Sequence, residues 1–326
     1  MEPRMTSHIK VLYTGGTIGM QAGANGLAPA SGFEARMREQ PAARQWPHWS
    51  FRELLPLIDS ANMTPAYWQR LRAAIVEAVD EGCDAVLVLH GTDTLAYSAA
   101  AMAFQLLGLR APVLFTGSML PAGTADSDAW ENLNGAMAAL ATGLDAGVQL
   151  YFHGELLPPT RCAKVRSAGR HPFAALRRDG GVARAEVPTA LDYRQPLALT
   201  EVAVLPLVPG FSTRALQAAL DSGPQGLVLE CFGSGTGPSD DPAFLAALQA
   251  AQARGIVVVA ITQCQEGGVQ LDIYEAGSRL REVGVLAGGG MTREAAFGKL
   301  HALLGAGLPI DEVRRLVELD LCGELA

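Results

Sequence analysis

Short runs of β-branched and aliphatic residues, each bounded by turn formers, alternate along this chain with longer stretches of helical periodicity. That alternation constrains the fold more than any other feature, because it is the signature of a wound α/β architecture with a largely parallel sheet. Runs 9–13, 85–89, 113–115 and 148–152 are expected to form one set of strands, and runs 202–207, 227–230 and 256–261 a second. Helices are expected between them. One opens at Thr64-Pro65 and runs to about residue 81, with Thr64 as cap and Pro65 at the first helical position, where its missing N–H costs nothing. Asp126 or Asp128 caps another that ends near residue 140, and later helices start near Ser212, Asp241, Thr292 and Pro309.

At 326 residues the chain exceeds one comfortable core, and size alone suggests two domains. The periodic pattern lapses at 181–196, which is the linker expected between a larger N-terminal domain, 1–196, and a smaller C-terminal α/β domain, 197–326. Apolar residues make up 49% of the chain and charged residues 18%, so both domains have ample material for a core. A second irregular stretch, 21–50, is rich in Gly and Pro and follows the first of the polar loops described next. It reads equally well as a mobile lid or as an ordered surface loop.

Two polar loops stand just past expected strand ends, Tyr13-Thr14-Gly15-Gly16-Thr17-Ile18-Gly19 and His90-Gly91-Thr92-Asp93-Thr94. Each places a threonine hydroxyl and open backbone N–H groups at the carboxyl edge of a sheet, where open α/β folds bind ligands. Gly15 and Gly16 would let backbone approach a ligand and cradle an oxyanion or carboxylate. The carboxylate of Asp93 beside the Thr92 hydroxyl could bind an amino group and orient a water. Plainer roles exist for both, since Thr17 and Asp93 could each cap a helix. Of 25 basic residues only Lys10, Lys164 and Lys299 are lysine. In so arginine-rich a chain, a surviving lysine is a better candidate than usual for a task that requires losing a proton. Lys164, if brought against Thr92 and Asp93, could pair with the carboxylate and shuttle a proton; otherwise it is a solvated surface residue.

Several classes are excluded or disfavoured. A net charge of −8, a pI near 5.3 and no basic cluster argue against a nucleic-acid partner. No stretch reaches the roughly 18–20 consecutive apolar residues of a membrane span. Residues 1–10 lack the apolar core of a secretory signal, so a cytoplasmic location is expected. Cys83, Cys162, Cys231, Cys264 and Cys322 are scattered and read as reduced, buried thiols rather than a disulfide framework or zinc site. His153-Gly154-Glu155 lacks the downstream cysteine pair of a zinc deaminase, and Gly233-Ser234-Gly235-Thr236-Gly237 lacks the acidic ribose ligand of a nucleotide loop.

Taken together, the two threonine loops, Thr116-Gly117-Ser118 and Lys164 resemble the bacterial-type L-asparaginase/glutaminase family, and more closely its cytosolic branch. Asp59-Ser60-Ala61-Asn62-Met63-Thr64-Pro65, Thr262-Gln263-Cys264 and Gly289-Gly290-Met291-Thr292-Arg293-Glu294 extend the likeness over nearly the whole chain. The resemblance implies Thr17 as nucleophile, with Thr92, Asp93 and Lys164 as a second catalytic cluster. It implies substrate contacts from Gly16, Asp59, Ser60 and Gly91, with Ser60 holding an α-carboxylate and Asp93 also meeting the α-amino group. The implied reaction is hydrolysis of L-asparagine to L-aspartate and ammonia through a threonine acyl-enzyme, with no metal or organic cofactor. The family assembles its site at a subunit contact, which implies a homodimer or a dimer of dimers.

One departure bears on mechanism. The family generally carries a tyrosine in the loop after the nucleophile, and the matching position here is Leu27, with no tyrosine between Tyr13 and Tyr67. Proton removal from Thr17 then falls to Lys164 through a water, or to Tyr274 or Glu275 of the partner subunit, or turnover is weak. Some cytosolic relatives answer cooperatively to asparagine through a threonine and an arginine whose counterparts here are Ala163 and Glu230, so little cooperativity is expected. Rival readings are an amidase preferring glutamine or another small carboxamide, and an idle homologue that senses an amino acid.

Overall fold

The computed structural model describes residues 6–23, 26–176 and 183–325. The strands are β1 (His8–Gly15), β2 (Met20–Gly23), β3 (Gly26–Pro29), β4 (His48–Ile58), β5 (Ala85–Leu89), β6 (Pro112–Thr116), β7 (Gly147–Phe152), β8 (Glu155–Leu157), β9 (Cys162–Lys164), β10 (Phe173–Ala175), β11 (Val202–Pro206), β12 (Gly226–Cys231), β13 (Val257–Thr262) and β14 (Leu286–Ala287). The helices are α1 (Phe33–Arg38), α2 (Pro65–Asp80), α3 (Leu95–Gln105), α4 (Ala129–Ala141), α5 (Thr213–Asp221), α6 (Pro242–Ala253), α7 (Glu275–Glu282), α8 (Arg293–Gly305) and α9 (Ile310–Val317).

The chain divides into two compact units, Met1–Ala175 and Leu176–Ala326. In the first, one sheet runs in the order β4-β1-β5-β6-β7-β8, parallel from β4 to β7, with β8 turning back antiparallel. In the second, β11-β12-β13-β14 are all parallel. The architecture is the expected mixed α/β with a mostly parallel sheet in the larger unit and a separate parallel sheet in the smaller. Central strands form where apolar runs are covered on both faces: every residue of β5, β12 and β13 is buried. In the first unit Ile9, Val11, Leu87 and Leu114 share a core with Leu133, Ala136, Met137 and Leu140 of α4. In the second, Leu227, Leu229 and Val258 share one with Leu216, Phe244 and Leu248.

The irregular reading of 21–50 is corrected. This stretch holds most of the β2–β3 hairpin, α1, a 3-10 turn at Pro41–Gln45 and the start of β4. Its strands escaped notice because the hairpin is exposed on both faces and β4 is an edge strand of mixed burial, so neither shows the continuous apolar run of a central strand. The 181–196 stretch begins among residues that lie outside the described ones; from 183 to 200 its regular structure is the 3-10 turn Thr189–Leu191. The cysteine reading is corrected in part: Cys83, Cys162 and Cys231 are buried, but Cys264 is exposed and Cys322 half-buried. Cys264 falls just past the end of β13, where the chain turns out toward solvent.

Candidate active site

The strand order brings the carboxyl ends of β4, β1, β5 and β6 side by side, and each continues into a segment picked out from the sequence. β1 leads into Gly16-Thr17, β4 into Asp59-Ser60, β5 into His90-Gly91-Thr92-Asp93, and β6 into Gly117-Ser118. Cross-strand bonds hold these ends in register: the Thr14 hydroxyl donates to the Leu89 carbonyl at 3.1 Å and the His90 N–H to the Thr116 carbonyl at 2.9 Å.

Thr17 is the first residue of a 3-10 turn, Thr17–Gly19, with Gly16 before it. It is therefore not the cap that the plainer reading gave it. Gly16 has φ +80°, which L side chains rarely adopt, and a Cβ there would lie 2.3 Å from the Cα and N of Gly91. Backbone meets backbone, so the two threonine loops touch through their glycines. On its other side Gly91 faces Ser60, whose Cβ and Oγ would stand 2.7 and 2.6 Å from an added Cβ. Gly16, Gly91 and Ser60 thus form one contiguous floor. Asp59 caps the short turn Ser60–Asn62, its carboxylate accepting from the Ala61 N–H at 3.2 Å.

Lys164 lies on the β9–β10 hairpin, 72 residues beyond Thr92, yet its Nζ donates to Thr92 Oγ1 at 2.9 Å and to Asp93 Oδ1 at 2.7 Å. Its side chain is 17% exposed, while that of Asp93 is 61% exposed. The ammonium is therefore largely shielded between a hydroxyl and a carboxylate that opens to solvent. Asp93 does not cap α3; that position belongs to Thr94, which makes no side-chain cap bond.

Three further residues frame the site: in the sequence His90 stands out only as part of a loop and Asp128 only as a possible cap, and Asn132 is not singled out. His90 is fully buried, with Nδ1 2.7 Å from the Gly91 carbonyl, and burial pushes its pKa down to about 4 against a smaller upward pull from that bond. The neutral ring donates from Nδ1. Asp128 stands at the start of α4 as expected, but its carboxylate turns back to accept from the N–H groups of Met119 and Leu120 at 2.9 and 3.0 Å. Asn132, one turn later, donates to Asp128 and to the Gly117 carbonyl at 3.1 and 3.0 Å and accepts from the His153 N–H at 2.8 Å. This buried pair ties the ends of β6 and β7 together. No spacing in the sequence marks this pair, because its bonds to Met119, Leu120, Gly117 and His153 span 8 to 21 residues. His153 and Gly154, both at positive φ, form the tight turn of the β7–β8 hairpin.

Leu27, at the position where a tyrosine was expected, lies on β3 and is 56% exposed. Asn25 lies outside the described residues.

An α/β chain of two units, in the first of which threonine loops meet at neighbouring strand ends and a lysine closes on one of them, defines the class: an α/β protein with an enzyme-like hydroxyl, lysine and carboxylate cluster. The chain belongs to the asparaginase family: the asparaginase N-terminal model matches residues 8–193 and the glutaminase/asparaginase C-terminal model residues 201–317. It is similar to L-asparaginase 1 of Escherichia coli, 35% identical over 331 residues, with 97% of each chain covered. It also resembles the crystal structure of L-asparaginase I from Vibrio cholerae, with a TM-score of 0.85 at 33% identity, covering 98% of this chain and 99% of that one. The human 60 kDa lysophospholipase is 33% identical over 96% of this chain, which spans 61% of that protein.

Proposed function

We propose that this protein is a cytoplasmic L-asparaginase that hydrolyses L-asparagine to L-aspartate and ammonia. The observation that carries the reading is the contact of Lys164 Nζ with both Thr92 Oγ1 and Asp93 Oδ1, beside a loop packed glycine to glycine against that of Thr17. In this reading Thr17 attacks the side-chain carboxamide, ammonia leaves, and water releases aspartate from the ester. A threonine hydroxyl attacks well only once a neighbour takes its proton. Lys164, with Thr92 and Asp93, is assigned to manage protons in this half of the site. The Gly16 N–H donates to the Ile58 carbonyl at 3.1 Å, so other backbone N–H groups of the two loops are assigned to the developing oxyanion, a contact worth about 3 kcal/mol. Ser60, with Asp59, Gly16 and Gly91, is assigned to the substrate's polar end.

The proposal includes a catalytic domain at 1–196 and a C-terminal domain at 197–326, a boundary close to the gap between the family models at 193 and 201. It also includes a homodimer or a dimer of dimers, with Tyr274 or Glu275 of the partner subunit available for proton removal where Leu27 offers none. Relatives named L-asparaginase at both 35% and 33% identity support asparagine over glutamine as substrate.

The test is ammonia release from asparagine and from glutamine, run beside Thr17→Ala and Lys164→Met. Asparagine is expected to be the better substrate, and both variants are expected to fold and to lose at least about a hundredfold in kcat. A wild-type protein that binds aspartate without turning over asparagine would overturn the reading.

A further inference from the structure

Thr94 sits at the position before the first residue of α3, where a threonine side chain ordinarily accepts a hydrogen bond from an N–H of the first helical turn. It does not do so here. Its φ and ψ, −119° and 15°, depart from the extended backbone of a capping residue, and its hydroxyl instead donates to the Ser60 carbonyl at 2.8 Å, 34 residues away in the chain. Thr64, Asp241 and Thr292 sit at the same position of α2, α6 and α8, and all three side chains do accept from the first turn. Where a residue abandons the local bond its type favours, the compensating gain lies elsewhere.

That gain is geometric. Thr94 directly follows Thr92 and Asp93, and Ser60 opens the turn that faces Gly91. The Ser60 carbonyl also accepts from the Met63 N–H at 3.0 Å, which closes its own turn. The Thr94 bond is thus a cross-tie between two loops, set beside the Gly91 contact at a second point. Gly91 limits how close the loops can come, while the hydroxyl limits how far they can part.

We propose that Thr94 is a positioning residue: its hydroxyl holds the Ser60 turn at a set distance from the Thr92–Asp93 loop, so that the group gripping the substrate's carboxylate stays aligned with the groups beside its reacting carbonyl. This rests on the functional reading above, in which Ser60 grips the substrate. A tie that acts through Ser60 serves ground state and transition state alike, so its loss weakens binding more than it slows the chemical step.

The experiment compares Thr94→Val, which keeps shape and loses the donor, with Thr94→Ser, which keeps the donor and loses a methyl. Steady-state kinetics with asparagine and calorimetric titration with aspartate are run on both, alongside thermal melts. For Thr94→Val, KM is expected to rise about tenfold and aspartate affinity to fall by a similar factor, with kcat changed by less than about threefold. Thr94→Ser is expected to return both to within about threefold of wild type. The proposal is overturned if Thr94→Val keeps the wild-type KM, if the loss falls on kcat alone, or if Thr94→Ser is as impaired as Thr94→Val. Should Thr94→Val not fold, Thr94→Ala against Thr94→Ser decides in the same way. A wild-type chain without turnover would sink the functional reading, but aspartate affinity in the variants would still read the cross-tie.

Discussion

At the scale of single residues, one position shows how little latitude the candidate site has. Gly16 combines a positive φ with a direct approach to the Gly91 backbone, and a backbone neighbour cannot swing aside as a flexible side chain can. Gly16→Ala should therefore lower stability by more than about 1 kcal/mol and cut asparagine turnover by at least about a hundredfold, since displacements near 1 Å cost that much. Gly82 offers the control: its φ is +91°, but nothing stands within 4 Å of an added Cβ. Gly82→Ala should register in a urea titration and leave the rate unchanged. The three lysines separate into different roles. Lys10 pairs with the exposed Glu81, Lys164 meets Thr92 and Asp93, and Lys299 is fully buried with Nζ 2.7 Å from Glu324 and 2.9 Å from the Val317 carbonyl. Lysine scarcity thus did not single out the site: of the three, only Lys164 lies in it, while Lys10 pairs with an exposed carboxylate and Lys299 with a buried one. Lys299→Met would strand the buried Glu324 carboxylate, so a loss of about 3–5 kcal/mol in unfolding free energy is expected, with no change in KM of whatever folded protein remains.

At the scale of elements, the site depends on how strand ends are tied to the helices that follow. Asp128 is 1% exposed and accepts from Met119, Leu120 and Asn132, so Asp128→Ala would leave three donors without that acceptor. The expected cost is about 2 kcal/mol, read as a lower urea midpoint at unchanged m-value, because the buried Asn132 donor and the part-buried Met119 and Leu120 N–H groups lose their acceptor. How much of this was legible varies by element. Buried strands such as β5, β12 and β13 announce themselves as apolar runs, and their ends fell within one residue of expectation because turn formers bound them. Thr64-Pro65 located α2 to the residue, since the Thr64 side chain accepts from the Tyr67 N–H as its position demands. The β2–β3 hairpin and β4 were not legible, because exposed or edge strands lack that pattern and are set by pairing with partners far along the chain. Within the site, Thr17, Thr92, Asp93 and Lys164 stood out as a combination of motifs. Asp128, Asn132 and Thr94 did not, because their roles are long-range hydrogen bonds that spacing alone does not encode. Asp128 even looked like a helix cap, which its position permits and its contacts contradict.

At the scale of the whole molecule, each compact unit carries one histidine whose folded-state pKa burial depresses to about 4: His90 in the first and His301 in the second. Both rings are neutral in the folded chain at pH 7, His90 bonded to the Gly91 carbonyl and His301 to the Thr200 hydroxyl. In the unfolded chain each titrates near 6.5. Between those values the unfolded state binds protons that the folded state refuses, so stability rises with pH across the window. The contribution is fully present above about pH 6.5, begins to disappear as pH falls below it, and is lost by the folded pKa near 4. The expected loss at pH 5 is about 2 kcal/mol per ring. Because each unit has its own ring, both should weaken together rather than one surviving as an acid-stable remnant. Trp46, Trp49, Trp68 and Trp130, all the tryptophans in the chain, lie in the first unit, so their fluorescence follows the unit of His90 while far-UV circular dichroism follows both. Urea midpoints measured from pH 8 to pH 4.5 should hold level above pH 6.5 and then fall by both signals. His301→Asn keeps an amide donor near Nδ1 but cannot titrate, so it should shallow the acid slope seen by circular dichroism. A slope identical to that of the wild type would remove His301 as a source of the acid sensitivity and leave the carboxylates to account for it.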